Sequence, residues 1–146
     1  MDKIKSIGTR KAGVIVCLFL LLRFPTYADN IWTFDPELQK IHRLVINLQT
    51  DQAYKLLEKV KADEFNKMYV QSLCETLDVL ITEDEEKFQK IEANFRDRLK
   101  YLNSLPVSAD ALFLQAELNL QRGFNFLNLG QEFNAVWAIR SAYNLT

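Results

Sequence analysis

Apolar residues recur every three or four positions from residue 35 to the end of the chain, and this spacing gives a helix one buried face. No stretch alternates apolar and polar residues for long enough to indicate a β-strand. We therefore predict an all-α fold of about six helices. The inward residues predicted for the first four helices are Leu38, Ile41, Val45 and Leu48; Ala53, Leu56, Leu57 and Val60; Phe65, Met68, Tyr69, Leu73, Leu77 and Leu80; and Phe88, Ile91, Phe95, Leu99 and Leu102.

Capping residues set the predicted starts of the helices. Asp35 followed by Pro36 is typical of a helix N-terminus, and Ser108 is suited to capping the fifth helix. Thr82 with Glu85 three residues later predicts a capping box, in which the hydroxyl and the carboxylate each satisfy a free amide. We expect this box to start the fourth helix.

The third helix is predicted to begin near Glu64 and to be central, because Val70, Cys74 and Ile81 widen its apolar face. Gly130 suits the left-handed turn that ends a helix, so the sixth helix is predicted from Gln131 to the end of the chain. Short connections then give three antiparallel hairpins, arranged either as a repeat stack or as an irregular helical bundle. The inward residues predicted for the fifth helix are Leu112, Phe113, Ala116, Leu120, Gly123 and Phe124.

The first 28 residues have the pattern of a secretory signal peptide. Basic residues precede an apolar run over residues 12–22, and Thr26 and Ala28 are placed like the small residues before a cleavage site. As a helix this run would span roughly 16 Å, about half of a ~30 Å hydrocarbon core, which favours a cleaved leader over a membrane anchor. We predict a signal peptide at residues 1–28, a helical domain at residues 29–146, and export to the periplasm or cell envelope.

Charge and cysteine content narrow the classes of function. Removing the first 28 residues would leave 13 basic and 18 acidic residues, a net charge of −5. This balance argues against nucleic acid as a partner, because phosphates attract a basic surface. Cys74 would be the only remaining cysteine, so the exported domain is predicted to have no internal disulfide.

Small and large residues near the end of the chain follow the spacing of a helical-hairpin repeat. Asn119 stands where such repeats usually have an aromatic residue, and Arg122 where they usually have leucine. The pattern nevertheless resembles a tetratricopeptide repeat, and this resemblance implies a right-handed stack of hairpins. The matching positions are Gly123, Phe126, Gly130, Ala135, Ile139 and Ala142, with Ala53, Leu57 and Val60 repeating the last three offsets.

Three segments, residues 51–59, 81–84 and 133–143, are similar to the amino-terminal part of a family of exported bacterial tetratricopeptide-containing proteins. The resemblance implies repeat architecture and export, and it brings no catalytic residues. In that family the chain continues further. The last helix here is apolar on most sides, so we expect a longer protein, a partner or a second copy to cover it.

Candidate catalytic and metal-binding residues are few. His42, the only histidine, lies at the edge of the first helix's apolar face, and we interpret it as a boundary residue rather than a general base. Cys74 is expected to be an inert core thiol. The acidic residues 83–86 lack the alternating spacing of a calcium loop. We therefore predict a protein without catalytic residues, cofactor or metal.

The predicted partner-binding residues lie on the last two helices. Gln115, Asn119 and Arg122 share one helix face, where amides could hold a partner's backbone and the guanidinium its carboxylate. Asn125 and Trp137 complete the set. We predict a non-catalytic interaction or scaffold module that binds a protein or peptide, with membrane-envelope association, further repeats or self-association through the last helix as open possibilities. The alternatives are a helical accessory domain of an exported hydrolase whose catalytic part lies elsewhere, or a small-ligand carrier.

Overall fold

The computed structural model describes residues 34–145, and the leader predicted at residues 1–28 lies outside this range. Within it the chain forms helices and no strand, so the all-α prediction is confirmed for the described residues. The helices are α1 (Pro36–Ile46), α2 (Thr50–Leu57), α3 (Glu64–Thr82), α4 (Glu85–Ser104), α5 (Ala109–Asn128) and α6 (Glu132–Tyr143).

Most helix ends follow the capping residues. The Asp35 carboxylate accepts a hydrogen bond from the Leu38 amide at 2.9 Å, and the Ser108 hydroxyl accepts one from the Ala111 amide at 3.2 Å. Gly130 has φ +68°, the left-handed conformation that glycine adopts without steric cost. The predicted caps of α1 and α5 and the turn after α5 are therefore confirmed.

The predicted capping box at Thr82 and Glu85 is wrong. Thr82 is the last residue of α3, and its hydroxyl donates to the Asp78 carbonyl at 2.8 Å. Glu83 turns the chain with φ +51°, and the Asp84 carboxylate caps α4 by accepting from a backbone amide at 2.9 Å. Aspartate caps a helix at least as well as threonine, and its position lets α3 continue to Thr82.

The helices pack in a regular order along the chain. Helix α1 contacts α2 and α3, α2 contacts α3, α3 contacts α4 and α5, α4 contacts α5, and α5 contacts α6. Among the described residues, α6 packs against α5 alone. Both helices of one hairpin thus pack against the first helix of the hairpin that follows it.

Two apolar cores follow from this order. One joins α1 and α2 to Val70 and Cys74 of α3, and the other joins Val79 of α3 to α4, α5 and α6. Phe65 and Met68, in the first turns of α3, also pack against the second core. Tyr69 packs against both cores, so α3 has the central position predicted for it. The fully buried members with the largest side chains are Leu38, Ile41 and Val45 in the first core and Phe95, Leu102, Leu114 and Leu118 in the second.

Helix α5 is buried on more sides than the sequence predicted. Leu114, Leu118 and Phe126 are buried, whereas Phe113 and Phe124, predicted to face inward, are 44% and 54% exposed. Because α5 contacts α3, α4 and α6, apolar residues surround most of its circumference, and their spacing does not identify a single buried face.

Small residues bring α6 close to α5. A Cβ added at Gly123 would lie 2.9 Å from Cγ1 of Ile139, closer than such atoms normally approach. The buried residues of α6 are the three alanines Ala135, Ala138 and Ala142. Gly123, one of the positions that follow the repeat spacing, therefore lies at a close crossing of α5 and α6.

We predict that Gly123→Val lowers the free energy of unfolding by about 2 kcal/mol, because the added atoms force α5 and α6 apart. Chemical denaturation followed by circular dichroism measures this loss. Adding Ile139→Ala should recover part of it, since that change removes the atom nearest to position 123. If the two effects are simply additive, the close crossing is not the cause.

We also predict that Asp84→Ala lowers the free energy of unfolding by about 1 kcal/mol, because the change removes the cap of α4. Thr82→Ala should have an effect below about 0.5 kcal/mol, since Thr82 ends α3 and is exposed. Thermal unfolding of both variants gives the comparison. A larger loss for Thr82→Ala would restore the capping box.

Candidate functional site

The five predicted partner-binding residues do not form one open surface. The side chains of Gln115 and Asn119 are buried, and Asn125 is fully buried. The Asn119 side-chain amide donates to the backbone carbonyl of Gln115 at 2.8 Å, within α5 itself. Trp137, on α6, is 64% exposed and is the only largely exposed residue of the five.

Arg122 is occupied by a neighbouring helix. Its Nε donates to both carboxylate oxygens of Glu92, at 3.0 and 2.8 Å, and Nη2 donates to the same carboxylate. The guanidinium also lies 5.0 Å from the centre of the Phe126 ring, within range of a cation–π interaction. In this structure the charge that was predicted to hold a partner's carboxylate links α5 to α4.

A second arginine–carboxylate pair links α4 to α3. Arg98 donates to Glu75 through Nη1 at 2.5 Å and Nη2 at 2.8 Å, and the Asn94 amide donates to the same carboxylate at 3.2 Å. Both side chains of the pair are largely buried. A buried pair of this kind is stable only while both charges are present. Its geometry fixes the position of α4 and leaves no acid or base available for chemistry.

Polar side chains also lie between α3 and α5. The Ser72 hydroxyl donates to the Gln121 side-chain oxygen, 49 residues further along the chain. One turn later in each helix, Thr76 and Asn125 are also buried, but neither the Thr76 hydroxyl nor the Asn125 amide has a hydrogen-bond partner among the described residues.

Cys74 and His42 are packed into apolar surroundings. Burial and the nearby Asp78 carboxylate raise the pKa of the Cys74 thiol to about 12, and the thiol donates to the Thr50 carbonyl at 3.8 Å. The thiol is therefore neutral at pH 7 and a poor nucleophile. The His42 ring lies 5.2 Å from the Phe34 ring, and burial lowers the pKa of the imidazole. Both positions match the structural roles predicted for these residues.

Exposed apolar side chains cover the side of α6 that faces away from its buried alanines. Trp137, Val136 and Phe133 are all more than 60% exposed, and Phe133 reaches 85%. Gly123 contacts Ile139, and helical periodicity places the exposed Phe124 and Leu127 on the α5 flank beside that contact. We call this set the α5–α6 apolar surface; its members are Phe124, Leu127, Phe133, Val136, Trp137 and Ile139.

Two charged residues border the α5–α6 apolar surface. Glu132 lies in the first turn of α6 and Arg140 in its last turn, and both are exposed. The Arg140 guanidinium lies 5.7 Å from the centre of the Trp137 ring. The apolar side of α6 is evident in the sequence, whereas the exposure of Phe124 is not, because its spacing matches that of the inward residues of α5.

Other features of the described residues give little indication of small-molecule chemistry. A depression of about 190 Å³ lies between the α4–α5 connection and Leu145, smaller than the ~300 Å³ at the low end of ligand pockets. Residues 34–145 contain no group of three side chains able to hold a metal ion. None of the helices in this range is long and apolar enough to span a membrane.

Comparison with known proteins found no matching family model, no matching curated protein and no matching solved structure. Within the described residues, two arginine–carboxylate pairs link neighbouring helices, and the α5–α6 apolar surface is left exposed on the last hairpin.

We predict that Arg98→Met lowers the free energy of unfolding by about 3 kcal/mol, because Glu75 then keeps a buried and unpaired charge. Urea denaturation measures the loss. The double variant Glu75→Gln with Arg98→Met should be more stable than Arg98→Met alone, since it removes that charge. If the double variant loses the sum of the two single effects, the ion pair does not have this structural role.

Proposed function

We propose that this chain is an exported, non-catalytic helical-repeat protein that binds another protein in the cell envelope through the α5–α6 apolar surface. The observation that carries the proposal is the one-sided packing of α6. This helix buries three alanines against α5 and leaves Phe133, Val136 and Trp137 exposed. A contiguous group of large, exposed apolar side chains is typical of an interaction surface.

The order of helix packing supports a tetratricopeptide-like arrangement within this proposal. Helix α3 packs on both helices of the first hairpin, and α5 packs on both helices of the second. The α5–α6 apolar surface lies on the third hairpin. If the same packing order continued, the helix that packs on α5 and α6 would cover this surface. A helical stack of this type presents extended surfaces for binding proteins and peptides.

The side-chain chemistry supports protein as the ligand class. Tryptophan and arginine are enriched among the residues that contribute most of the binding energy of protein interfaces, and phenylalanine is enriched in interfaces relative to the rest of the surface. Arg140 beside Trp137 supplies that combination. The acidic balance predicted for the exported chain disfavours nucleic acid. Export itself is proposed from the basic, apolar and small-residue order of residues 1–28.

Site-specific photo-cross-linking in intact cells tests the proposal. A photoreactive phenylalanine analogue replaces Phe133, which lies on the α5–α6 apolar surface and is 85% exposed. We expect a covalent product that contains a second polypeptide and that fractionates with the cell envelope.

Val107 supplies the matched control position. It is apolar and 86% exposed, and it lies in the α4–α5 connection, outside the α5–α6 apolar surface. The analogue at residue 107 should give at most a small fraction of the product obtained at residue 133. Equal yields at the two positions, absence of a protein product at residue 133, or a product confined to the cytoplasm would contradict the proposal.

A further inference from the structure

We propose that the partner of the α5–α6 apolar surface is a second copy of this chain, with α6 packed antiparallel against α6 of that copy. The inference rests on the proposed function, because it names the occupant of the same surface. Three observations support it: the exposed area, the placement of charge along α6, and the symmetry of the exposed helix face.

The exposed area fits one side of a homodimer. The six side chains of the surface are between 37% and 85% exposed. Aromatic side chains bury about 150–250 Å² each, so the exposed parts of this set amount to roughly 600 Å². A standard interface buries about 800 Å² per partner, about two thirds of it apolar in homodimers. The surface therefore supplies the apolar area that a stable dimer requires.

The charges on α6 complement those of a second, antiparallel α6. Glu132 lies in the first turn and Arg140 two turns later in the last turn. In an antiparallel pair the start of each helix lies beside the end of the other, so Glu132 of each copy approaches Arg140 of the other copy. Both helix dipoles are also paired head to tail. A partner surface that carries only one sign of charge would place a like charge beside either Glu132 or Arg140.

The exposed face of α6 matches itself under a two-fold rotation. Phe133, Val136, Trp137 and Arg140 follow the spacing of one helix face, i, i+3, i+4 and i+7. A two-fold axis between residues 136 and 137 brings Val136 against Trp137 of the other copy and Phe133 against its Arg140. Every residue of the face thus meets another member of the same face. The Arg140 guanidinium, which already lies over the Trp137 ring, adjoins a second aromatic ring in this arrangement.

Sedimentation equilibrium of the purified chain tests the inference. We expect a mass that rises with concentration to twice that of a single chain. Glu132→Arg alone and Arg140→Glu alone should each weaken the dimer about tenfold, because each creates two contacts between like charges across the axis. The double variant Glu132→Arg with Arg140→Glu should restore the dissociation constant to within about threefold of the original, since the pairing is then reversed but complete.

Two matched controls separate dimer contacts from local effects. Glu37→Arg removes an acidic residue from the first turn of α1, as Glu132→Arg does in α6, and should leave the dissociation constant unchanged. Val136→Glu places two carboxylates beside the axis and should abolish the dimer. Ser141→Glu, at an exposed position outside the apolar face, should have no such effect. Circular dichroism of each variant checks that the helices are retained.

Failure of this inference is distinguishable from failure of the proposed function. A chain that stays monomeric at all concentrations overturns the second-copy assignment, as does a dimer that neither α6 charge reversal weakens. If the dimer of the double variant dissociates as readily as the dimers of the single variants, the antiparallel register is wrong. In cells, a cross-linked product at residue 133 containing a different polypeptide overturns the assignment while the proposed function stands; absence of any protein product overturns both.

Discussion

The packing of α5 against α3, α4 and α6 is the contact on which the second half of the described structure depends. It combines a wide apolar surface with polar side chains buried between α3 and α5. Leu114, Leu118 and Phe126 supply the apolar contacts, and Ser72 pairs with Gln121 across the same interface. Apolar burial supplies most of the free energy. This one hydrogen bond favours a single register of α3 against α5, because a shift would leave the buried Ser72 hydroxyl without its acceptor.

Helix α6 depends on this contact more than any other helix does. Within residues 34–145 it packs against α5 alone, and the residues that it fully buries are alanines. Alanine allows the close approach seen at Gly123 but buries little area per residue. The large apolar residues Phe133, Val136 and Trp137 lie on its other sides and are exposed. A helix of 12 residues with so little buried area is marginal in water, and covering its exposed side would stabilise it.

Local sequence signals predicted local structure well. Asp35, Ser108 and Gly130 mark helix ends because the relevant hydrogen bond or backbone angle involves only a few neighbouring residues. Where two residues could serve as the cap, as Thr82 and Asp84 could, the sequence alone did not show which one would. The outcome depended on how far α3 extends.

Tertiary position was harder to predict. Gln115 and Asn119 are polar residues on a helix face, which usually indicates contact with solvent, but the helices around α5 bury them. Arg122 could not be assigned to Glu92 from the sequence, because the two residues are 30 positions apart and lie on different helices. The apolar spacing of the fifth helix predicts that Phe124 faces inward, yet it lies on the α5 flank left exposed beside α6. These differences share one cause, since helical periodicity does not report which neighbours surround a helix.

Amide hydrogen exchange measured as a function of protein concentration tests most directly the claim that the exposed side of α6 binds a second copy of this chain. Exchange reports local opening helix by helix, and α6 should open more easily than α1 or α3 when the chain is dilute. The account predicts that protection of the α6 amides increases by at least about tenfold between dilute and concentrated protein, as association covers the helix, while protection in α1 stays constant. Protection of α6 that is independent of concentration would contradict it.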